Sequence, residues 1–191
     1  MNVLLLDNYD SFTYNLEYYI KKYVEKVDTI RNDKISPEAC KIYDAIILSP
    51  GPGLPKSAGN MMEIIATCAG KVPILGICLG HQAIGEYLGC ELINLTEVYH
   101  GKKTKITRLK DSGIFTELPQ EMYVGRYHSW SINPETVSEK TKVTALSDDQ
   151  QIMAIQNDEM NLYGLQFHPE SILTEDGETM ISNFINEVKR K

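Results

Sequence analysis

The sequence predicts an α/β fold: a mostly parallel central sheet with helices on both faces, continued by an antiparallel extension. Three observations carry this. Short apolar runs alternate with helical patterns as far as about residue 89. From Glu91 to Gln166 the chain breaks into short β-like pieces, and an amphipathic segment from Gly177 to Lys191 closes it.

Val3 to Leu6 is an unbroken apolar run, the pattern of a buried strand. The polar turn Asp7 to Asp10 follows. Ser11 stands where it would cap a helix through about Tyr23, with Tyr14, Leu16, Tyr18, Tyr19, Ile20 and Val24 as a wide buried stripe. Val27 to Arg31 predicts a second strand, and Pro37 opens a short helix, as proline does at a first turn. Ala45 to Leu48 is a third strand, ended by Ser49-Pro50-Gly51-Pro52-Gly53. Asn60 to Ala69 reads as helix, Pro73 to Ile77 as a fourth strand and His81 to Leu88 as another helix. Lys105 to Leu109, Val143 to Leu146, Ile152 to Gln156 and Leu162 to Gln166 are the β-like pieces of the second half. The last helix carries Met180, Ile181, Phe184, Ile185 and Val188 on one face. With no repeat, low-complexity tract or linker, residues 1–191 are expected to form one domain.

Hydrophobic residues make up 42% and charged residues 24% of the 191 positions, an ordinary balance for a globular chain. The formal charge of −7 gives no electrostatic reason to expect nucleic acid or an anionic membrane surface as partner. The N-terminus has a short apolar run without a basic lead, and no stretch approaches bilayer-spanning length. Cys40, Cys68, Cys78 and Cys90 show no Cys-x-x-Cys spacing. The expectation is a reduced, cytoplasmic protein whose thiols are free to react.

One thiol stands out. In "ILGICLGHQAIGEYLG", Cys78 lies where an apolar strand gives way to a helix, with Gly76 and Gly80 two residues to either side. This is the cysteine form of a nucleophile elbow, a tight turn that strains the central residue and crowds its neighbours. It also sets the sulfur at a helix N-terminus, where negative charge is favoured. A buried structural cysteine beside packing glycines is the competing reading.

A partner base comes from "GLQFHPES". A strand from Leu162 to Phe167 puts His168 at its end, and Pro169 holds His168 extended. Residues two apart in extended chain point the same way, so Glu170 is placed to accept from one imidazole nitrogen and leave the other for Cys78. Thiol, base and orienting carboxylate suffice for acyl transfer. His81, just inside the helix after the elbow, is expected to point away from the sulfur. His100 and His128 lie in loop-like segments without an adjacent carboxylate. No standard metal-ligand spacing is present, so no metal is expected. A tetrahedral intermediate would need N–H donors, which Leu79 and a glycine of "SPGPG" are placed to supply.

"SPGPG", "GICLGHQ" and "FHPES", in this order and spacing, resemble the class I (triad) glutamine amidotransferases over essentially the whole chain. The resemblance implies a flavodoxin-like fold and a glutamyl thioester on Cys78, with His168 as general base and Glu170 as its orienter. It implies oxyanion amides at Gly51 and Leu79. Glutamine would be held by Gly51, Pro52, Gly53, Gln82, Ser129 and Trp130. Trp130 departs from the leucine common there, a change that a backbone contact survives.

"LLLDNYDSFTYNL" is similar to the start of the small subunits of two chorismate-using enzymes, anthranilate synthase and aminodeoxychorismate synthase. "EVYHGK" resembles their interface segment, which makes Tyr99, His100, Gly101 and Lys102 candidates for contact with a synthase subunit; the alternative is a solvated turn. For Asp7, Asp10 and Ser11 a helix cap is the local reading. The partner would bind chorismate and Mg²⁺, and this chain would need no cofactor. A free-standing γ-glutamyl peptidase and a receiver-like binding module are the rival classes. The start motif speaks against the first, and the Cys78, His168 and Glu170 set speaks against the second.

Overall fold

The computed structural model of the chain describes residues 1–109 and 112–190. Its first half runs β1 (Asn2–Asp7), α1 (Thr13–Lys21), β2 (Lys26–Arg31), β3 (Ala45–Leu48), α2 (Met61–Cys68), β4 (Ile74–Ile77) and α3 (Leu79–Tyr87). The second half runs β5 (Leu92–Asn94), β6 (Lys102–Arg108), β7 (Glu121–Arg126), β8 (Trp130–Ile132), β9 (Lys142–Ser147), β10 (Ile152–Asn157), β11 (Leu162–Leu165) and α4 (Gly177–Lys189). Among the described residues one sheet has nine strands, in the order β2-β1-β3-β4-β11-β10-β9-β6-β7, and β5 pairs with β8 in a separate ribbon.

β2, β1, β3, β4 and β11 run parallel, and the remaining pairs are antiparallel. The parallel half has the 2-1-3-4-5 order of flavodoxin-like sheets, in which ligands gather at the carboxyl ends of the strands. Alternate residues feed opposite faces. Val3, Leu5, Ala45, Ile47, Leu75 and Ile77 pack with Leu16 and Ile20 of α1 and with Phe184 and Ile185 of α4. Leu4, Leu6, Ile46, Leu48 and Ile74 pack with Met61 and Ile64 of α2 and with Ala83 and Ile84 of α3. Both faces are covered, which is why these strands read as unbroken apolar runs. Each fully buried leucine or isoleucine contributes about 1.5–3 kcal/mol.

The sequence expectations need correction in particular places. Ser11 does not cap α1. The helix begins after Phe12 without a side-chain cap, and it ends at Lys21 rather than near Tyr23. Asp7 organises the turn instead. Its Oδ1 accepts from the Tyr9 and Asp10 amides (2.9 and 3.2 Å) and from the Thr13 hydroxyl (2.9 Å). Asp10 Oδ2 accepts from the Phe12 amide at 2.7 Å. Ionised acceptors make the stronger bonds here.

The stripe on α1 is narrower than expected, because Tyr14 and Tyr18 are exposed. Pro37 opens a 3-10 turn, Glu38–Ile42, not an α-helix. The strand before His168 stops at Leu165. Position 191 of the predicted last helix lies outside the described residues. Among the described residues, no helix is long and apolar enough to cross a membrane.

Candidate active site

The site is built on the carboxyl end of β4, between β3 and β11. Ile77 pairs with Leu165, and the Cys78 amide donates to the Leu165 carbonyl at 2.8 Å. The chain then turns sharply into α3, leaving Cys78 at φ 51°, ψ −99°. A non-glycine residue there carries about 1–3 kcal/mol of backbone strain, and such strain collects at functional positions. The turn folds the two flanking glycines onto their surroundings. A Cβ on Gly76 would lie 2.3 Å from the Gly80 carbonyl carbon, and one on Gly80 would lie 2.7 Å from Leu48 Cβ. The elbow needs glycine at both places.

β11 brings up the imidazole. His168 and Glu170 are both buried, and His168 Nδ1 meets Glu170 Oε1 at 2.6 Å. Nε2 has no well-formed hydrogen bond, yet it is electrostatically coupled to the Cys78 sulfur. Burial works against a proton on His168. The Cys78 sulfur and the Glu170 carboxylate outweigh it and hold the pKa well above the ordinary histidine value. Tyr127 and Phe12 cover the ring, with centroids 4.9 and 6.2 Å away. Asp10 senses the same charges: burial raises its pKa, while the Phe12 amide and His168 draw it down. The N-terminal turn is therefore part of the site's wall.

Leu79 is the first residue of α3, so its N–H has no partner within the helix. Gly51 is pressed beside it: a Cβ on Gly51 would lie 3.0 Å from Leu79 Cδ2 and 2.5 Å from the Asn8 carbonyl oxygen. Asn8 is a residue that sequence reasoning missed. Its amide donates to Ser49 Oγ at 2.8 Å, its side-chain Nδ2 donates to the Ser49 carbonyl at 2.7 Å, and its Oδ1 accepts from Asn32 Nδ2 at 3.0 Å. Asn8 thereby ties the end of β1 to the loop that presents Gly51. Its position at the carboxyl end of β1, on the same rim as the elbow, was the available signal.

A cavity of about 210 Å³ opens here, lined by Gly51, Pro52, Gly53, Cys78, Leu79, Gln82, Tyr127, His128, Ser129 and Trp130. It holds every residue that the resemblance gave to glutamine. Drug-sized pockets run to about 300–1,000 Å³, so this one suits a single small molecule. A larger cavity of about 610 Å³ next to it, around Leu54, Met62 and Glu86, contains neither Cys78 nor His168.

The far wall is a buried polar network. Gln82 Nε2 donates to the Trp130 carbonyl (2.9 Å) and to Gln166 Oε1 (3.2 Å). Trp130 thus acts through its backbone, which side-chain identity does not alter. His128 Nδ1 also meets that carbonyl, at 2.9 Å, while Arg126 Nε donates to His128 Nε2 at 3.1 Å. The arginine fixes the tautomer, leaving the proton on Nδ1. Arg126 is fully buried and also donates to Asp149 Oδ1 (3.0 Å) and Gln151 Oε1 (2.6 Å).

Of the four interface candidates, His100, Gly101 and Lys102 are exposed. Tyr99 is not. It is 7% exposed, stacks on His128 at 5.3 Å with Arg126 over its ring, and donates to Asp149 Oδ2 at 2.7 Å. The ring points inward, where it finds an aromatic and a guanidinium.

His81 is fully buried and lies against Gly164 of β11. Burial pushes its pKa down to about 3, and burial followed by Arg126 does the same to His128. Both are neutral when folded and take a proton near pH 6.5 when unfolded. The unfolded state binds more protons between these values, so stability falls as pH drops from 6.5 towards 3. His168 runs the other way, its contribution being lost as pH rises through its raised value. Urea unfolding at pH 7 and pH 5 is expected to show a loss of about 2 kcal/mol for each of His81 and His128. Equal stability at the two values would contradict a neutral burial of these rings.

A family model described as "Glutamine amidotransferase class-I" matches residues 4–188. Anthranilate synthase component 2 of Lactococcus lactis is 46% identical over 97% of this chain and 94% of its own length. Aminodeoxychorismate/anthranilate synthase component 2 of Bacillus subtilis is 39% identical over 99% of this chain and 98% of its own. The match to a bifunctional protein of Thermotoga maritima spans 32% of that longer chain at 41% identity. Among solved structures, a glutamine amidotransferase of Thermotoga maritima shares the fold, with a TM-score of 0.83 at 14% identity over 100% of this chain and 99% of that one. This chain belongs to the class I glutamine amidotransferase family.

Proposed function

We propose that this chain is the glutaminase subunit of an anthranilate synthase, hydrolysing glutamine and delivering ammonia to a chorismate-binding synthase subunit. One observation carries the chemistry: Cys78 is strained into a left-handed elbow beside the cavity, with the buried His168–Glu170 pair next to its sulfur.

In this reading His168 Nε2 takes the Cys78 proton, which its raised pKa favours, and the sulfur attacks the side-chain amide carbon of glutamine. A C–S bond forms, and the carbonyl electrons move onto oxygen, facing the Gly51 and Leu79 amides. Collapse breaks the C–N bond, and His168 gives its proton to the departing nitrogen, which leaves as ammonia. His168 then takes a proton from water as it attacks the thioester, and glutamate leaves as the thiol is restored. Glu170 keeps the imidazole oriented throughout.

The relatives named as component 2 of a synthase support a synthase partner. That partner would hold chorismate and Mg²⁺, and this chain would work in the cytoplasm. His100, Gly101 and Lys102 are exposed, the first two beside Tyr127 of the cavity lining, and are assigned to the contact. The two activities in the Bacillus relative's name support a second reading, in which the ammonia serves aminodeoxychorismate synthesis.

The test mixes the chain with the synthase subunit of the same organism, chorismate, Mg²⁺ and glutamine, and follows anthranilate fluorescence. Glutamine-dependent anthranilate that disappears with Cys78→Ala is the expected result. Aminodeoxychorismate formed only with the other synthase would transfer the chain to that reaction. No glutamate from either mixture would overturn the proposal.

A further inference from the structure

Gln166 touches the sulfur. The parallel register sets Leu165 beside Ile77, so the residue just past the end of β11 falls beside Cys78, two residues before His168. The Gln166 side chain is fully buried there, and its Nε2 donates to Cys78 Sγ at 3.7 Å. Its orientation is fixed from the other end, because its Oε1 accepts from Gln82 Nε2 at 3.2 Å. Gln82 is itself held by the Trp130 carbonyl at 2.9 Å. Turning the Gln166 amide over would put two N–H groups face to face and a carbonyl oxygen against the sulfur.

We propose that Gln166 is a positioning residue, which holds the Cys78 sulfur for attack and links it to the Gln82 wall of the glutamine pocket; this rests on the reading of Cys78 as the nucleophile. A cysteine side chain has three staggered positions about its first bond. The N–H of Gln166 selects one of them. His168 acts on the sulfur from one side through its charge, and the Gln166 N–H meets it from the other at 3.7 Å. Once the thiol proton has moved to His168, the same N–H faces an anionic sulfur, and hydrogen bonds to ionised acceptors are the strong ones. No added reactant enters this step. The amide neither gives nor takes a proton, and it acts only through the sulfur.

The test uses Gln166→Met, close in volume without a donor, and Gln166→Glu, which keeps the shape and the acceptor for Gln82. Iodoacetamide alkylation of Cys78, resolved by peptide mass, is followed against pH on the chain without glutamine. Glutaminase kcat and KM are measured in the presence of chorismate and the synthase subunit. Both variants are expected to alkylate about tenfold more slowly at pH 7 with the pH profile moved upward, and to lose about tenfold or more in kcat. For Gln166→Glu, which keeps the bond to Gln82, KM should move by no more than about threefold, since the lost bond is to the sulfur. A merely structural role would lower the unfolding temperature and leave the alkylation profile unchanged. Should Gln166→Met fail to fold, the isosteric Gln166→Glu carries the test.

Wild-type alkylation rate and profile in a folded variant would overturn the role of Gln166. Cys78→Ser separates this from the underlying reading. If that variant still hydrolyses glutamine, the nucleophile itself is wrongly placed. If it is inactive while the Gln166 variants alkylate normally, only the positioning role falls.

Discussion

Cys78→Ala and Cys78→Gly are both expected to lose glutamine hydrolysis by about 10⁴-fold or more, the scale seen when a nucleophile is removed from such a set. Yet the glycine variant should be the more stable of the two by about 1 kcal/mol. Glycine ordinarily loses to alanine by about 0.5–1 kcal/mol because its unfolded chain has more freedom. At φ 51° that order reverses, since a Cβ in left-handed backbone costs about 1–2 kcal/mol and glycine removes it. For a chain of this length 1 kcal/mol corresponds to about 2–4 °C in Tm. Thermal unfolding of the two variants reads the difference. An alanine variant equal to or more stable than the glycine variant would show that the elbow is unstrained.

The second large effect falls on stability rather than on chemistry. Gly76→Ala drives a methyl group into the backbone of Gly80 at 2.3 Å, and backbone cannot swing aside as a long side chain does. Overpacking typically costs about 1–3 kcal/mol, and a clash with the backbone of both Gly80 and His81 in the first turn of α3 belongs at or above the top of that range. Urea unfolding is expected to show a loss of about 3 kcal/mol or more, with activity falling in step as α3 is pushed off β4. Gly70→Asn is the control. It sits at φ 74° with nothing within 4 Å of its would-be Cβ, and asparagine tolerates that backbone. Similar losses at both positions would mean that close packing at the elbow is not what glycine provides.

The parts of the fold that could be read in advance are those fixed by local chemistry. Val3 to Leu6 and Ala45 to Leu48 announced doubly covered strands because both faces are apolar. Gly76 and Gly80 announced the elbow because only glycine fits its turn. His168 and Glu170 could be paired from spacing alone, since extended chain alternates sides.

What stayed hidden depends on register and crossover. Gln166 reaches the sulfur because β11 lies beside β4, with β10 on its other side, a pairing across 88 positions of sequence. Asn8 looked like one polar residue among several in a turn, and only the order β1-β3-β4 brings it to the Gly51 loop. Arg126 is fully buried although arginine almost never is unless paired, and Tyr99, a contact candidate, is buried as well. Here each finds its partner on another strand or loop. β7 is a strand that the sequence analysis leaves out although its signal is present: exposed Glu121 and Tyr123 alternate with buried Met122 and Val124, the period of a half-covered strand.

Turnover by this triad passes through a covalent bond between glutamine and Cys78. The direct measurement is the mass of the Cys78 peptide from the chain quenched in acid during turnover with glutamine, chorismate and the synthase subunit. One added glutamyl unit on Cys78, absent in Cys78→Gly and from the peptides of Cys40, Cys68 and Cys90, is the predicted result. Continued glutamine hydrolysis by Cys78→Gly, or a glutamyl unit on another residue, would contradict the account.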